Sequence, residues 1–411
     1  MIKNVAVIGG GAAGLMAAYQ AASLGANVCL FEKNPNLGRK ILISGKGRCN
    51  LTNIKELDEF IDHFPGNGKF LFSSLITFSN RDLIAFFEKL GVKTKVERGG
   101  RVFPVSDSSL DVVKALQKAV IDTGVHIKYK SSVKSLIVEK KRIRGIVFGD
   151  TFEKFYCDSV IVATGGLSYP STGSTGDGYT FARQVGHTIT KLKPSLVPLV
   201  SVEHWVRELQ GLTLKNVEAA VYVKQKKLAS EFGEMLFTHY GISGPIILTL
   251  SRSIIDYLNH KPLVSINLKP ALTEQDLDKR LLKDFSLYKN KIFKNSLNDL
   301  LPKKMVPIFI NYTGIDPEKP VNQISRNERK RVMDCMRNFS IPISGCREKE
   351  AIVTQGGVSI KEVNPKTMES KKIAGLFFAG EVIDVDGLTG GYNLQAAFST
   401  GFVAGYNSIY G

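Results

Sequence analysis

Acidic residues are scarce in this 411-residue chain: 38 aspartates and glutamates stand against 55 lysines and arginines, a formal charge of +17 at pH 7. A small uncharged metabolite gives no reason for such a field. It points to a polyanionic partner, nucleic acid above all, unless it only reflects a lysine-rich proteome. Cysteine is sparse too. The five, at positions 29, 49, 157, 335 and 346, form no CxxC pair and no metal-ligand spacing, so a reduced, cytoplasmic protein without a bound metal is expected. No apolar run reaches the roughly 20 residues that span a bilayer. The apolar start lacks a cleavage pattern and carries Glu32 and Lys33, which argues against a secretory leader. Repeats and low-complexity tracts are absent. What is present is 43% hydrophobic content, ample for a large core divided among two or three domains.

The chain opens on VAVIGGGAAG. Residues 5–8 read as a strand, 15–24 as a helix, and Gly9, Gly11 and Gly14 between them have the spacing of a dinucleotide-binding turn. Gly9 makes the tight turn, Gly11 lets backbone approach a pyrophosphate, and Gly14 lets the helix pack on the strand. The helix N-terminus offers unpaired N–H groups to phosphate. A second strand at 27–31 ends on Glu32, placed to accept hydrogen bonds from ribose hydroxyls. The polar, glycine-rich segment 33–53 reads as a loop beside that turn. It brings Arg39 and Lys40 for phosphate and Ser44, Asn50 and Thr52 as hydrogen bonders. Cys49 within it reads as an inert buried thiol or as a proton donor or redox group beside a cofactor.

Helical spacing predicts helices at 82–90 and 110–123, with the strand-like RVFP at 101–104 between them. Four short strands follow at 126–129, 133–138, 143–148 and 152–156. The apolar strand 159–163 then delivers Thr164, Gly165 and Gly166, and Gly176 and Gly178 open a further helix. From about 191 the pattern becomes β-rich, with strands at 196–202, 217–223 and 263–268 and a glycine-bearing loop at 237–245 whose His239 and Tyr240 could reach a substrate. Helices are predicted at 276–284, 296–301, 303–311 and 326–338. Their cations, among them Lys279, Arg280, Lys283, Arg326, Arg329 and Lys330, form either a solvated face or a phosphate contact. The strand 374–380 ends on glycine, and Gly390 and Gly391 precede a helix from Leu394. The chain thus closes on a third glycine-to-helix junction, whose N-terminus could favour negative charge on a bound cofactor.

Four stretches, GGGAAG at 9–14, GRKILISGKGRCNLTN at 38–53, VIVATGGLSYPSTGSTGDG at 160–178 and GLFFAGEVIDVDGLTGGYNLQ at 375–395, carry a resemblance to the bacterial FAD-dependent oxidoreductases of the BaiN and aminoacetone-oxidase-like family, the YhiN-type flavoproteins. LFTHYGISGP at 236–245 also looks like that family. The resemblance implies an α/β architecture: a Rossmann-like FAD-binding domain of glutathione-reductase type with an inserted β-barrel-like domain and a small helical insert. The implied boundaries are 1–190 plus 357–411 for the FAD domain, 191–268 plus 338–356 for the barrel-like domain, and 269–337 for the insert. Carried over by position, the FAD contacts are Gly9, Gly11, Ala12, Gly14, Glu32, Lys33, Arg39, Lys40, Ser44, Val133 near the adenine, Thr164, Gly165, Gly380, Glu381, Gly391, Asn393 and Leu394. Where the wider superfamily often has Gly-Asp, this chain has Gly380-Glu381, which suggests a longer or indirect contact.

The activities the resemblance implies are reduction of carbon–carbon double bonds, in a uracil of large-subunit ribosomal RNA or in unsaturated steroid acids, and amine oxidation. Charge selects among them. The expected function is FAD-dependent reduction of a uridine of 23S ribosomal RNA to dihydrouridine, with ribosomal RNA or a ribosomal precursor particle as partner. Hydride would add to the electron-poor carbon while Cys49, Tyr392 or His239 protonates its neighbour, on a base extruded to reach the cofactor. NADH or NADPH is expected as a transient donor, because only one complete nucleotide-binding turn is present. Two alternatives stand: an FAD/NAD(P)-dependent oxidoreductase acting on a small amine or enone, and a flavin-bearing RNA or ribosome-binding protein without catalysis on RNA.

Overall fold

The computed structural model describes residues 2–149 and 152–410. It divides into two compact units, Met1–Ser195 with Ala351–Gly411, and Leu196–Glu350. The first is built on a five-stranded parallel sheet in the order Leu376–Phe378, Ser159–Val162, Asn4–Ile8, Asn27–Phe31, His126–Lys128. Its inner strands are continuous apolar runs because helices and loops cover both faces. Strand order runs outward from Asn4–Ile8 in both directions, so the carboxyl end of that strand is a switch point, the place where such sheets bind ligands.

Two helices cover one face there. Ala12–Ser23 follows the first strand, and the closing helix Tyr392–Asn407 lies against it. Their approach depends on two glycines one turn apart. A Cβ on Gly401 would stand 2.3 Å from the Ala13 carbonyl oxygen, and one on Gly405 would stand 2.4 Å from that of Ala17. The residues expected as a four-stranded meander separate: His126–Lys128 joins the parallel sheet, while Val133–Glu139, Arg142–Phe148 and Lys154–Tyr156 form an antiparallel sheet of their own. The segment 33–53 is not wholly loop. Glycine terminates rather than prevents a short helix, Arg39–Ile43, which follows Gly38 in the left-handed conformation (φ 67°) and leads into a 3₁₀ turn, Ser44–Gly47, and a strand, Thr52–Asn53.

In the second unit, seven antiparallel strands run Phe339–Pro342, Leu263–Asn267, Thr213–Val223, Lys226–Phe237, Gly241–Ser243, Leu199–Val200, Gly345–Cys346. The two edge strands are separated in the chain only by Ile343 and Ser344, so the sheet has to curl until its edges meet. Helices Glu274–Leu287, Val306–Thr313 and Arg326–Arg337 share one core with this sheet, where Leu281, Phe309 and Met336 pack with Ile266 and Phe339. The helix expected at 296–301 is absent; Ser296 instead bonds the Phe293 carbonyl in a turn. The apolar residues Leu297, Leu300 and Leu301 that suggested it are buried all the same.

Candidate functional site

The three glycines of the opening turn do different work. Gly9 has φ 104° and its Cβ would meet the Ala163 carbonyl at 2.5 Å, while a Cβ on Gly14 would overlap the Gly9 carbonyl at 1.8 Å. Both are therefore demanded by the protein's own packing. Gly11 differs: a Cβ there would meet nothing within 4 Å. It is the residue before Ala12–Ser23, and no side chain caps that helix. The first turn of the helix therefore has no side-chain cap, and its Gly11 side is open at the switch point, an arrangement suited to an anion. Across the crevice, Thr164 holds a buried hydroxyl with no partner, just past the Ser159–Val162 strand, and Gly165 turns with φ 73°. The closing helix is also uncapped by any side chain. Its Gly391 (φ 99°) comes so near the Thr52 carbonyl that a Cβ would stand 2.4 Å away.

Glu32 is buried. One carboxylate oxygen accepts the Gly10 N–H at 2.8 Å and the other the Asn34 N–H at 2.8 Å, so the acid is fixed against the turn. Ser131 N–H bonds the Glu32 carbonyl at 3.0 Å, which brings the start of the strand holding Val133 to the same place. Lys33 reaches Asp177 at 2.6 Å and the Thr175 hydroxyl, bracing the 175–177 turn. Arg39 donates to Asn34 at 2.5 Å and lines an outer cleft of about 570 Å³ with Leu42, Val113 and Lys114. Lys40, the next residue of the short helix, points elsewhere.

Its ammonium meets Glu381 at 2.5 Å and the Ser168 hydroxyl. Glu381 also accepts from Ser168 at 2.7 Å and from the Thr354 N–H at 2.8 Å. Burial pushes this carboxyl up, but Lys40, Ser168 and Thr354 together hold it below the ordinary carboxylate range. Ser168 and Thr354 were not singled out in the sequence. Ser168 lies inside the third motif, but Thr354 carries no local signal because its partner is 27 residues away. Asn393 turns its side chain back onto Gly387, accepting its N–H at 2.8 Å and donating to its carbonyl at 2.7 Å. Only its backbone and that of Leu394 remain at the uncapped end. Asn50, with its amide oriented by its neighbours, accepts the Gly391 N–H at 3.0 Å. Gly380 bonds Thr400 through its N–H at 2.9 Å. Ser44 donates to the Ile41 carbonyl at 2.7 Å, closing the short helix.

The three candidate proton donors differ in access. Cys49 is fully buried, with φ 60°, and burial pushes its thiol up to about 12 although Ser44 bonds it. It is a neutral, enclosed thiol. Tyr392, at the start of the closing helix, is 2% exposed; its ring stacks on His63 at 4.2 Å, and burial raises its pKa. His239 lies in the second unit with its side chain exposed, edge-on to Tyr240, whose hydroxyl bonds Glu350 at 3.0 Å. Among the described residues no cluster of three or more potential metal ligands occurs.

The model of the HI0933-like protein Rossmann domain matches residues 3–407. The chain belongs to the HI0933-like family. Two of its relatives align nearly end to end: a protein from Haemophilus influenzae named ribosomal RNA dihydrouridine synthase, 33% identical over 96% of each chain, and one from Clostridium scindens named 3-dehydro-bile acid delta(4,6)-reductase, 32% identical over 98% of each. Solved structures of the same fold include a flavocytochrome c3 fumarate reductase (TM-score 0.53, 18% identity, 100% of this chain and 78% of that one) and a 3-ketosteroid delta1-dehydrogenase from Sterolibacterium denitrificans (TM-score 0.55, 15% identity, 100% and 99%). This HI0933-like chain has a Rossmann-type FAD-binding fold and belongs to a family of FAD-dependent oxidoreductases. The uncapped helix ends, the open side of Gly11 and the unpartnered Thr164 hydroxyl fit an FAD pyrophosphate and ribityl chain.

Proposed function

We propose that this HI0933-like protein reduces the carbon–carbon double bond of a uridine in 23S ribosomal RNA to dihydrouridine, with FAD as its cofactor and NADH or NADPH as a donor that visits transiently. Gly9, Gly11, Ala12 and Gly14 would hold the pyrophosphate, Glu32 the ribose, and Val133 the adenine edge. Thr164, Gly165, Gly380, Gly391 and the N–H groups of Asn393 and Leu394 would line the flavin end. Lys33, Arg39, Lys40, Ser44 and Glu381 make bonds within the protein, so their contribution is to shape that cradle. When bound, FAD supplies hydride to the electron-poor carbon of the substrate. The candidates for the proton to the neighbouring carbon are Cys49, Tyr392 and His239, of which Cys49 and Tyr392 are enclosed and His239 is exposed.

The observation that carries the RNA assignment is the charge of +17, which a phosphate backbone answers and a steroid or amine does not. A relative named for ribosomal RNA at 33% identity supports the same reading. The bile acid reductase at 32% favours a second reading, an enone metabolite. Purified protein incubated with NADPH or NADH and with 23S ribosomal RNA from a strain lacking the gene separates them. Dihydrouridine formation is expected; turnover of a steroid enone with unchanged RNA would replace this proposal with the second.

A further inference from the structure

We infer that the outer face of the antiparallel helix pair Glu274–Leu287 and Arg326–Arg337 in the second unit is a contact surface for the RNA phosphate backbone; this deepens, and rests on, the RNA reading above. Two ion pairs fix the register of these helices, Asp278 with Arg329 at 2.7 Å and Glu274 with Arg337 at 2.8 Å. Moving forward along one helix is moving back along the other, so Lys279 lies abreast of Lys330 and Lys283 abreast of Arg326. Each helix contributes its two cations at i and i+4, about 6 Å apart along the axis. Leu277, Leu281 and Phe285 on one helix and Val332, Met333 and Met336 on the other are buried in the core, Met333 bordering the cationic side of its helix.

All four cations are exposed, and none makes an ion pair or hydrogen bond among the described residues. Their neighbours on the same helices are neutralised. Arg280 pairs with Asp284 at 2.9 Å, Arg329 and Arg337 are paired as above, and Glu328 is taken by Lys319 at 2.7 Å. Two acids nonetheless keep their charge near the cations. Asp276, which accepts from the Thr273 hydroxyl, is one turn before Lys279, and Asp334, which lines a polar cleft with Glu218 and Tyr222, is one turn after Lys330. A solvated helix surface gains from alternating charges and loses from like charges one turn apart. This surface sets like charges one turn apart on each helix, four unpaired cations against the two exposed acids Asp276 and Asp334, a net positive face suited to a ligand that brings its own row of negative charges.

The test uses full-length protein and a protein-free transcript of 23S ribosomal RNA, with binding followed by fluorescence anisotropy over a range of salt. K279E/K283E and, independently, R326E/K330E should each lower affinity at least tenfold and reduce the slope of log K against log salt by roughly 2. K118E/K366E, an equal charge change in the first unit, should do neither. Equal losses in that control would overturn the assignment in favour of net charge alone, and wild-type affinity in both ladder variants would overturn it outright. So would loss of binding to anionic phospholipid vesicles with RNA binding intact, which would make this a lipid-facing surface. If the wild-type protein fails to bind the transcript, the RNA reading itself falls; if it binds and forms dihydrouridine while the ladder variants behave as wild type, only the assignment of this surface falls.

Discussion

At the scale of single residues, two glycines three positions apart should behave in opposite ways. Gly11→Ala places its methyl in open space, so unfolding in urea should be nearly unchanged while the flavin content of the purified protein falls. Gly14→Ala drives its methyl into the Gly9 carbonyl and should lower stability by about 1–3 kcal/mol or more; equal stability of the two variants would contradict this division of labour. Glu362 offers a pH test. Burial pushes its carboxyl up, yet Lys372 at 2.7 Å and the N–H and hydroxyl of Thr188 bring it down to about 2. A folded-state pKa below the unfolded value contributes stability above about pH 4.5, lost as pH falls toward 2. Glu362→Gln should therefore flatten the decline of urea stability between pH 4.5 and 2, and an unchanged decline would remove this carboxylate from the account. Cys49, enclosed and raised to about 12, should resist a thiol reagent in the native protein, leaving Cys335 and Cys346, which are partly exposed, as the sites that label. Labelling that disappears in Cys49→Ala would mean the thiol is accessible after all.

At the scale of elements, the closing helix is the part whose position the cradle depends on. Gly401 and Gly405 let it lie on the opening helix, and Gly401→Leu should cost about 1–3 kcal/mol in urea unfolding and release flavin together with it; retention of both would show that the two helices can separate without effect. What could be read from sequence here follows from how local each cause is. The strand–glycine–helix units at 9–14, 164–178 and 380–394 carry their signals within a few residues. The strand Lys226–Phe237 was missed because it is charged and half exposed, and its hairpin turns through Lys224 and Gln225 at positive φ (48° and 67°), residues that lack the Asn-Gly signal by which such turns are usually read. The helix Arg39–Ile43 was missed because its glycines mark its ends, whereas composition alone suggested a loop.

At the scale of the whole molecule, the cofactor cradle was legible and the arrangement of polar side chains within it was not. Lys40 was expected against phosphate, yet its partner Glu381 lies 341 positions away, and no local pattern announces a contact of that separation. The Asn393 side chain braces its own loop through Gly387, which leaves only its backbone for the cofactor. The substrate rests on a property that belongs to no single position, the excess of 17 positive charges, and on likeness to relatives with two different names. It is therefore the claim to measure. Mass spectrometry of nucleosides from 23S ribosomal RNA, purified from cells with the gene, without it and with it restored, is the most direct test. The account predicts one dihydrouridine that is present, lost and regained in that order; dihydrouridine unchanged across all three strains would contradict it.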